Sequence, residues 1–98
     1  MSKQYLVIAG DSGVYSGWGD PESIGADGRA VLTEARHLRR YYVAGRQGDG
    51  SALDLALLGL DPDSPSVTDP LPGTSVLLGV RRVFSVAPAA LPSFGVDR

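Results

Sequence analysis

The longest unbroken apolar run in this 98-residue chain, residues 5–9, has only five members. Thirteen glycines and seven prolines occupy positions that would otherwise carry core side chains. A helix that spans a membrane needs about 20 apolar residues, so we expect none here. The run predicts a short buried strand, and the length of the chain predicts a single domain over residues 1–98.

The core of such a chain is small, because a domain of this size buries roughly 60–65% of the surface that its unfolded chain exposes. The chain has no cysteine, which excludes disulfide bonds, thiolate zinc sites and cysteine nucleophiles. Its single histidine argues against a metal site, and we expect no cofactor. Association with further copies would add buried area, so we expect a homo-oligomer.

The first 20 residues predict a hairpin. Residues 4–9 are apolar after Gln4 and include the β-branched Val7 and Ile8, as in a mostly buried strand. Residues 10–13 favour a turn, because glycine tolerates positive φ and Asp and Ser side chains bond nearby backbone groups. Residues 14–18 predict the returning strand, and the glycines at 17 and 19 predict a bulge or a close backbone approach.

Residues 51–59 predict a short helix, with Ser51 and Asp54 as a capping box and Gly59 at the C-terminal cap. The sequence predicts a loop over residues 61–73 and a strand over residues 74–80. Residues 81–86 either continue that strand or pair with it after a bend near Gly79, and residues 88–95 form at most one helical turn. We therefore predict an α+β fold: a small, mostly antiparallel sheet of four to six strands with one short helix packed on it.

Charge is distributed unevenly along the chain. Nine basic and eleven acidic residues give a net charge of −2, which argues against a general nucleic-acid or polybasic membrane binder. Residues 29–46 nevertheless carry five arginines and one glutamate. Their pattern leaves a helix and a strand both open for residues 33–43.

The candidate ligand-binding residues lie in this basic segment and are Arg36, Arg39, Arg40, Tyr41 and Tyr42. Guanidinium groups pair bidentately with phosphate and tyrosine rings stack on bases, so a nucleotide would satisfy both. The alternative is a solvated face on which arginine stems pack over tyrosine rings.

Two further arginines, Arg81 and Arg82, are consecutive in the chain. Consecutive residues of a strand point to opposite faces. We therefore expect that only one of the two joins the basic segment.

The sequence Gly-Arg-Ala-Val-Leu-Thr-Glu-Ala-Arg-His-Leu at residues 28–38 precedes an aromatic pair and the Ser-Leu-rich helix segment. This order resembles a family of short phage and prophage proteins of unknown function, with a Leu-Thr-x-Ala-Arg-Arg block, an aromatic run and a short Ser-Leu-rich helix. The resemblance covers most of residues 3–60 and implies β structure for residues 31–43. Where the family usually has Trp-Tyr-Trp, this chain has Arg39, Arg40, Tyr41 and Tyr42.

These observations predict a non-enzymatic phage accessory protein of the host cytoplasm with a counter-defence role. It would bind an anionic small molecule, such as a nucleotide signal of host immunity. Catalysis is not expected, since His37 is the only possible triad base and no Gly-x-Ser-x-Gly elbow accompanies it. The alternatives are a protein–protein interaction module that docks on a host or phage protein, and a minor virion component.

Overall fold

The structure is a computed structural model that describes residues 3–45 and 51–96, so Arg46 of the basic segment lies outside it. The strands are β1 (Gln4–Gly10), β2 (Gly13–Gly19), β3 (Ala30–Arg40), β4 (Ser66–Val67), β5 (Thr74–Leu77) and β6 (Val80–Ser85). The helix α1 (Ala52–Leu58) lies between β3 and β4 in the chain, and 3₁₀ helices cover Pro21–Ser23 and Pro88–Phe94. The predicted α+β fold is confirmed, with six strands in the sheet.

The strands pair antiparallel in the order β4-β3-β2-β1-β6. β5 pairs with residues 30–33 of β3, on the same side of β3 as β4. Only Leu78 and Gly79 separate β5 from β6, although these strands pair with opposite ends of the sheet. One nearly continuous run therefore links the two edge strands, and the sheet curls so that this short link can span them.

β1 is buried on both of its faces. Tyr5 and Val7 contribute to an outer core beneath α1 and the C-terminal 3₁₀ helix, whereas Leu6 and Ile8 contribute to an inner core inside the curled sheet. The outer core also contains Leu38, Val43, Leu55, Leu60, Val86 and Phe94, and the inner core contains Ala30, Leu32 and Ala35. Burial on both faces explains why β1 is continuously apolar rather than alternating.

The segment that the sequence left open between helix and strand is extended, since β3 covers most of residues 33–43. The strand is not regular. Ser16 of β2 pairs with Arg36, whereas Trp18 pairs with Thr33, so β3 has one residue more than β2 across this interval. This mismatch is a β-bulge.

Glu34, with a φ of 54°, marks the bulge in β3. The bulge shifts the side-chain alternation, so that Leu32 and Ala35, three residues apart, both enter the inner core. On β2, Gly17 faces the bulge so closely that a Cβ there would lie 3.2 Å from the Cα of Ala35. Of the two predicted alternatives beside Trp18, the close backbone approach is confirmed, and the bulge lies in the partner strand β3.

α1 begins and ends as predicted. The Oγ of Ser51 accepts the backbone N–H of Asp54 at 3.2 Å, and the N–H of Gly59 donates to the carbonyl of Leu55 at 2.9 Å. Seven residues are too few for a stable isolated helix, so burial of Leu55 and Ala56 in the outer core holds α1 in place. The outward side of α1 carries the exposed residues Leu53, Leu57 and Leu58. Throughout residues 3–45 and 51–96, no helix has the length and apolar character that crossing a membrane requires.

The strand predicted over residues 74–80 is interrupted. β5 pairs with β3 and β6 pairs with β1, so the chain changes partners between Leu77 and Val80. The expected bend near Gly79 is therefore confirmed.

The prediction of at most one helical turn over residues 88–95 is wrong. The 3₁₀ helix Pro88–Phe94 has seven residues, about two turns. Phe94 at its end is buried, and its ring centroid lies 5.4 Å from that of Tyr5. Packing on β1 therefore supports a longer helix than local sequence preference indicates.

Gly10→Ala tests the close approach of β1 to the link between β5 and β6. A Cβ at Gly10 would overlap the carbonyl oxygen of Gly79 and lie 2.9 Å from the Cα of Val80, both backbone atoms. We expect the free energy of unfolding in urea to fall by about 1–3 kcal/mol. Gly25→Ala is the matched control, because its Cβ would meet an exposed aspartate side chain; its effect should stay within about 0.5 kcal/mol. Equal stability of the two variants would contradict this close approach.

Because Tyr5 is buried, we expect the protein to become less stable at alkaline pH. Burial raises its pKa, although its hydroxyl bonds to the Oγ of Ser16 at 3.0 Å and Arg36 lies near enough to oppose the shift. Above the ordinary tyrosine pKa of about 10, the unfolded chain loses this proton before the folded chain does. Stability should therefore decline as the pH rises past that value. The decline, followed by urea unfolding, should be shallower in Tyr5→Phe; parallel pH profiles would contradict the assignment.

Candidate functional site

Arg36, the first of the five predicted ligand-binding residues, is engaged inside the protein. Its Nε donates to the carbonyl oxygen of Thr68 at 2.9 Å, and its Nη1 donates to that of Phe94 at 2.8 Å. Thr68 follows β4 and Phe94 ends the C-terminal 3₁₀ helix, so one guanidinium ties β3 to two later segments. Hydrogen bonds from a charged donor are the stronger kind.

Arg36 and Arg40 lie on opposite faces of β3. Leu38 follows Arg36 by two positions, so both side chains lie on the outer-core face of β3. Leu38 pairs with one residue of β4. Arg40 pairs with the adjacent residue of β4, which faces the other way. Arg39 lies between them at an irregularity of the pairing and is exposed. The structure therefore does not bring the three arginines together.

The two tyrosines also separate. Tyr41 packs against the outer core. Tyr42 is half-buried, and its backbone N–H donates to the Oγ of Ser64 at 2.9 Å. Of the five predicted residues, Tyr41 is the one that lines the cleft described next.

A second bulge, in β6, brings two other arginines onto one face. Residue 10 of β1 pairs with Val80, and residue 9 pairs with Arg82. Arg81 is therefore the additional residue in β6. Val80 and Val83 both contact the inner core, so the two residues between them face outward. The prediction that Arg81 and Arg82 point to opposite faces is wrong, because it assumed a regular strand.

Arg81 and Arg82 line an open cleft of about 330 Å³, which we call the arginine cleft. It lies where the end of β1 meets the bulged start of β6, with the first residues of α1 opposite. Tyr41 contributes an aromatic ring, and small apolar side chains come from Ala9, Val14 and Ala52. The cleft thus combines two cationic groups, a phenol ring and an apolar floor.

Asp11 orients one of the two arginines. Its Oδ1 accepts from the Nε of Arg81 at 2.6 Å, and this bond raises the pKa of the guanidinium further above its usual value. Asp11 is itself held by its backbone N–H, which donates to the carbonyl of Gly79 at 3.1 Å. The pair is mostly exposed, so it adds little stability and acts mainly on the direction of Arg81.

A different cavity, of about 390 Å³, opens on the outer core and carries no charged group. Its lining includes Tyr5 and Trp18, whose rings meet edge to face at a centroid distance of 5.3 Å. Val86 and Leu91 complete its apolar wall. The cavity suits an apolar group, and its lining contains no cationic side chain that could pair with an anion.

His37 stacks on Tyr15, with ring centroids 4.4 Å apart and planes 9° from parallel. Within the described ranges, no group of three His, Asp or Glu side chains is arranged to hold a metal ion. The arginine cleft combines two arginines with an aromatic side chain, whereas the charged groups Asp11, Asp27 and Arg81 line a neighbouring polar cavity of about 250 Å³.

The sequence contained one sign of this site. A glycine before two arginines at a strand start indicates a bend, and we expected one near Gly79. Which face Arg81 and Arg82 take depends on the pairing of β6 with β1, two strands about 70 residues apart in the chain. No local pattern carries that information.

Arg36→Ala tests whether this side chain is structural. Loss of both hydrogen bonds should lower the free energy of unfolding by about 2–3 kcal/mol. Arg39→Ala removes an exposed guanidinium three positions along the same strand and should stay within about 0.5 kcal/mol. Urea unfolding of both variants checks the difference, and an Arg36→Ala protein as stable as Arg39→Ala would refute the interpretation.

Comparison of the chain with models of protein families, with curated proteins and with solved structures gives no match. The resemblance to short phage proteins stays a prediction that rests on the motif in residues 28–38.

Proposed function

We propose that this protein is a non-enzymatic binding module for a small anionic molecule that carries a planar ring. The arginine cleft is its binding site. The observation that supports this proposal is the β6 bulge, which turns Arg81 and Arg82 toward the same cleft as Tyr41. A bulge interrupts the hydrogen bonds of a strand, and such features recur next to functional sites because they redirect side chains.

The chemistry of the lining favours a nucleotide. The guanidinium of Arg82 can donate two parallel hydrogen bonds to a phosphate, and Arg81 retains its Nη groups for the ligand while its Nε bonds to Asp11. The ring of Tyr41 offers a stacking surface for a base, and Ala9 and Val14 provide apolar contact beside it. Ligand pockets span about 300–1,000 Å³, so a cleft of about 330 Å³ fits a ligand with one base better than a dinucleotide.

A counter-defence role follows if the ligand is a nucleotide signal of host immunity, as the resemblance to phage proteins suggests. Sequestering a signal requires affinity and slow release rather than chemistry. The cleft supplies groups suited to affinity: charged donors, an aromatic ring and small apolar side chains. An accessory protein that holds the signal would act in proportion to its own concentration.

Titration calorimetry with AMP, ADP-ribose, a cyclic dinucleotide and inorganic phosphate tests the proposal. We expect the wild-type chain to bind at least one nucleotide and to bind phosphate more weakly. Arg82→Ala should weaken nucleotide binding by about tenfold or more, because it removes a charge-assisted hydrogen bond. NMR of the recovered nucleotide should show that it is chemically unchanged. Conversion of the nucleotide to a product would contradict the non-enzymatic function.

Arg39→Ala is the matched control, because it removes the same charge from an exposed site outside the cleft. Binding that is lost in Arg39→Ala and retained in Arg82→Ala would place the site on β3 and overturn the arginine cleft. Absence of binding to every member of the panel at millimolar concentration would overturn the proposed function itself.

A further inference from the structure

The exposed edges of the sheet differ in how they are protected against pairing with another chain. β6 carries the Arg81 bulge and two charged side chains, both of which discourage such pairing. β4 has only two residues. β5 has no proline, no bulge and no charged residue, and the uncharged sequence continues from Thr74 to Val80.

The free side of β5 presents backbone donors and acceptors. Glu34 of β3 donates its N–H to the carbonyl of Gly73, just before β5. In an antiparallel pair, alternate residues direct their N–H and C=O groups to the partner. Counting from Gly73, Ser75 and Leu77 face β3, whereas Val76 directs its backbone groups away from it. Within the described ranges, β3 is the strand that pairs with β5.

The side chains at this edge are apolar on the solvent side. Val76 is 51% exposed and lies directly opposite Val31 of β3, which is 45% exposed. Leu78, the residue that follows β5, is 67% exposed. Both valines point away from the inner core, so they form a small apolar surface that ends at the open edge.

From this geometry we infer that β5 pairs antiparallel with β5 of a second copy of this chain about a two-fold axis. Val76 lies opposite Val76 of the partner subunit, and Thr74 lies opposite Leu78 of the partner subunit. A two-fold axis perpendicular to the sheet keeps the apolar surfaces on one side. The valines at 31 and 76 then form a row of four across the joined sheets.

A second copy fits this edge better than a charged partner does. The segment from Thr74 to Val80 carries no charge, so pairing it with itself brings no like charges together. Antiparallel pairing is also self-complementary, because each Val76 donates to and accepts from its counterpart. This inference rests on the β5 edge alone and stands apart from the ligand proposed for the arginine cleft.

Sedimentation velocity of the full chain tests the inference. We expect a concentration-dependent dimer of twice the 10.2 kDa chain mass. Val76→Lys places two positive charges opposite each other and should raise the dimer dissociation constant more than tenfold, or about 1.4 kcal/mol. Val76→Pro should do the same while the chain stays folded, because the N–H that it removes does not face β3. Circular dichroism verifies folding in both variants.

Leu57→Lys is the matched control, since it introduces the same charge at an exposed apolar residue of α1. It should leave the dimer unchanged. A wild-type chain that stays monomeric at its solubility limit would overturn the inference. Dissociation by Leu57→Lys with no effect of Val76→Lys would overturn it too and place the interface on α1.

Disulfide trapping gives a second, positional test. The chain has no cysteine, so Val76→Cys creates a single thiol. Directly opposed residues of an antiparallel pair have Cα atoms about 5.5 Å apart or closer, within the range for a disulfide. Oxidation should convert Val76→Cys, and not Leu57→Cys, to a covalent dimer. Cross-linking of both variants at the same slow rate would indicate random collision and count against the interface.

Discussion

The burial of β1 on both faces is the constraint on which the rest of the structure depends. Its side chains alternate between the outer core, roofed by α1 and the C-terminal 3₁₀ helix, and the inner core inside the curled sheet. Because β1 also pairs with β2 and β6, it contacts neighbours in four directions. The arginine cleft lies at the end of this strand, where the pairing of β1 with β6 positions Arg82 opposite Ala9.

The bulges at Glu34 and Arg81 then determine which face several key side chains take. The bulge at Glu34 lets β3 supply both cores from a strand whose apolar residues do not alternate regularly. The bulge at Arg81 keeps β6 packed on the inner core through Val80 and Val83, while two guanidinium groups face outward. The bulge at Glu34 therefore improves core packing, and the bulge at Arg81 directs charged side chains outward. Each bulge removes part of the hydrogen-bond ladder between its strands.

Much of the fold was accessible from sequence because its signals are local. Local patterns predict the strand β1, the hairpin turn after Gly10 and the start of the helix at Ser51, and the structure contains all three. The site was not accessible in the same way. Counting arginines identified the densest stretch, but Arg36 bonds to carbonyls more than 30 residues away, and strand pairing separates it from Arg40. The cleft depends on long-range register, and only Tyr41 was predicted as part of it.

The run from β5 to β6 has a consequence for how the molecule reaches its native state. β1 leaves the ribosome about 70 residues before β6, which is one of its two partner strands and begins at Val80. Until then its edge is uncovered, and α1 can dock only on an unfinished sheet. Loop-closure entropy must be overcome before that distant pairing returns any stabilisation, so we expect slow, late and concerted folding for so short a chain. During that interval the apolar edge of β1 is open to capture by chaperones or by neighbouring nascent chains.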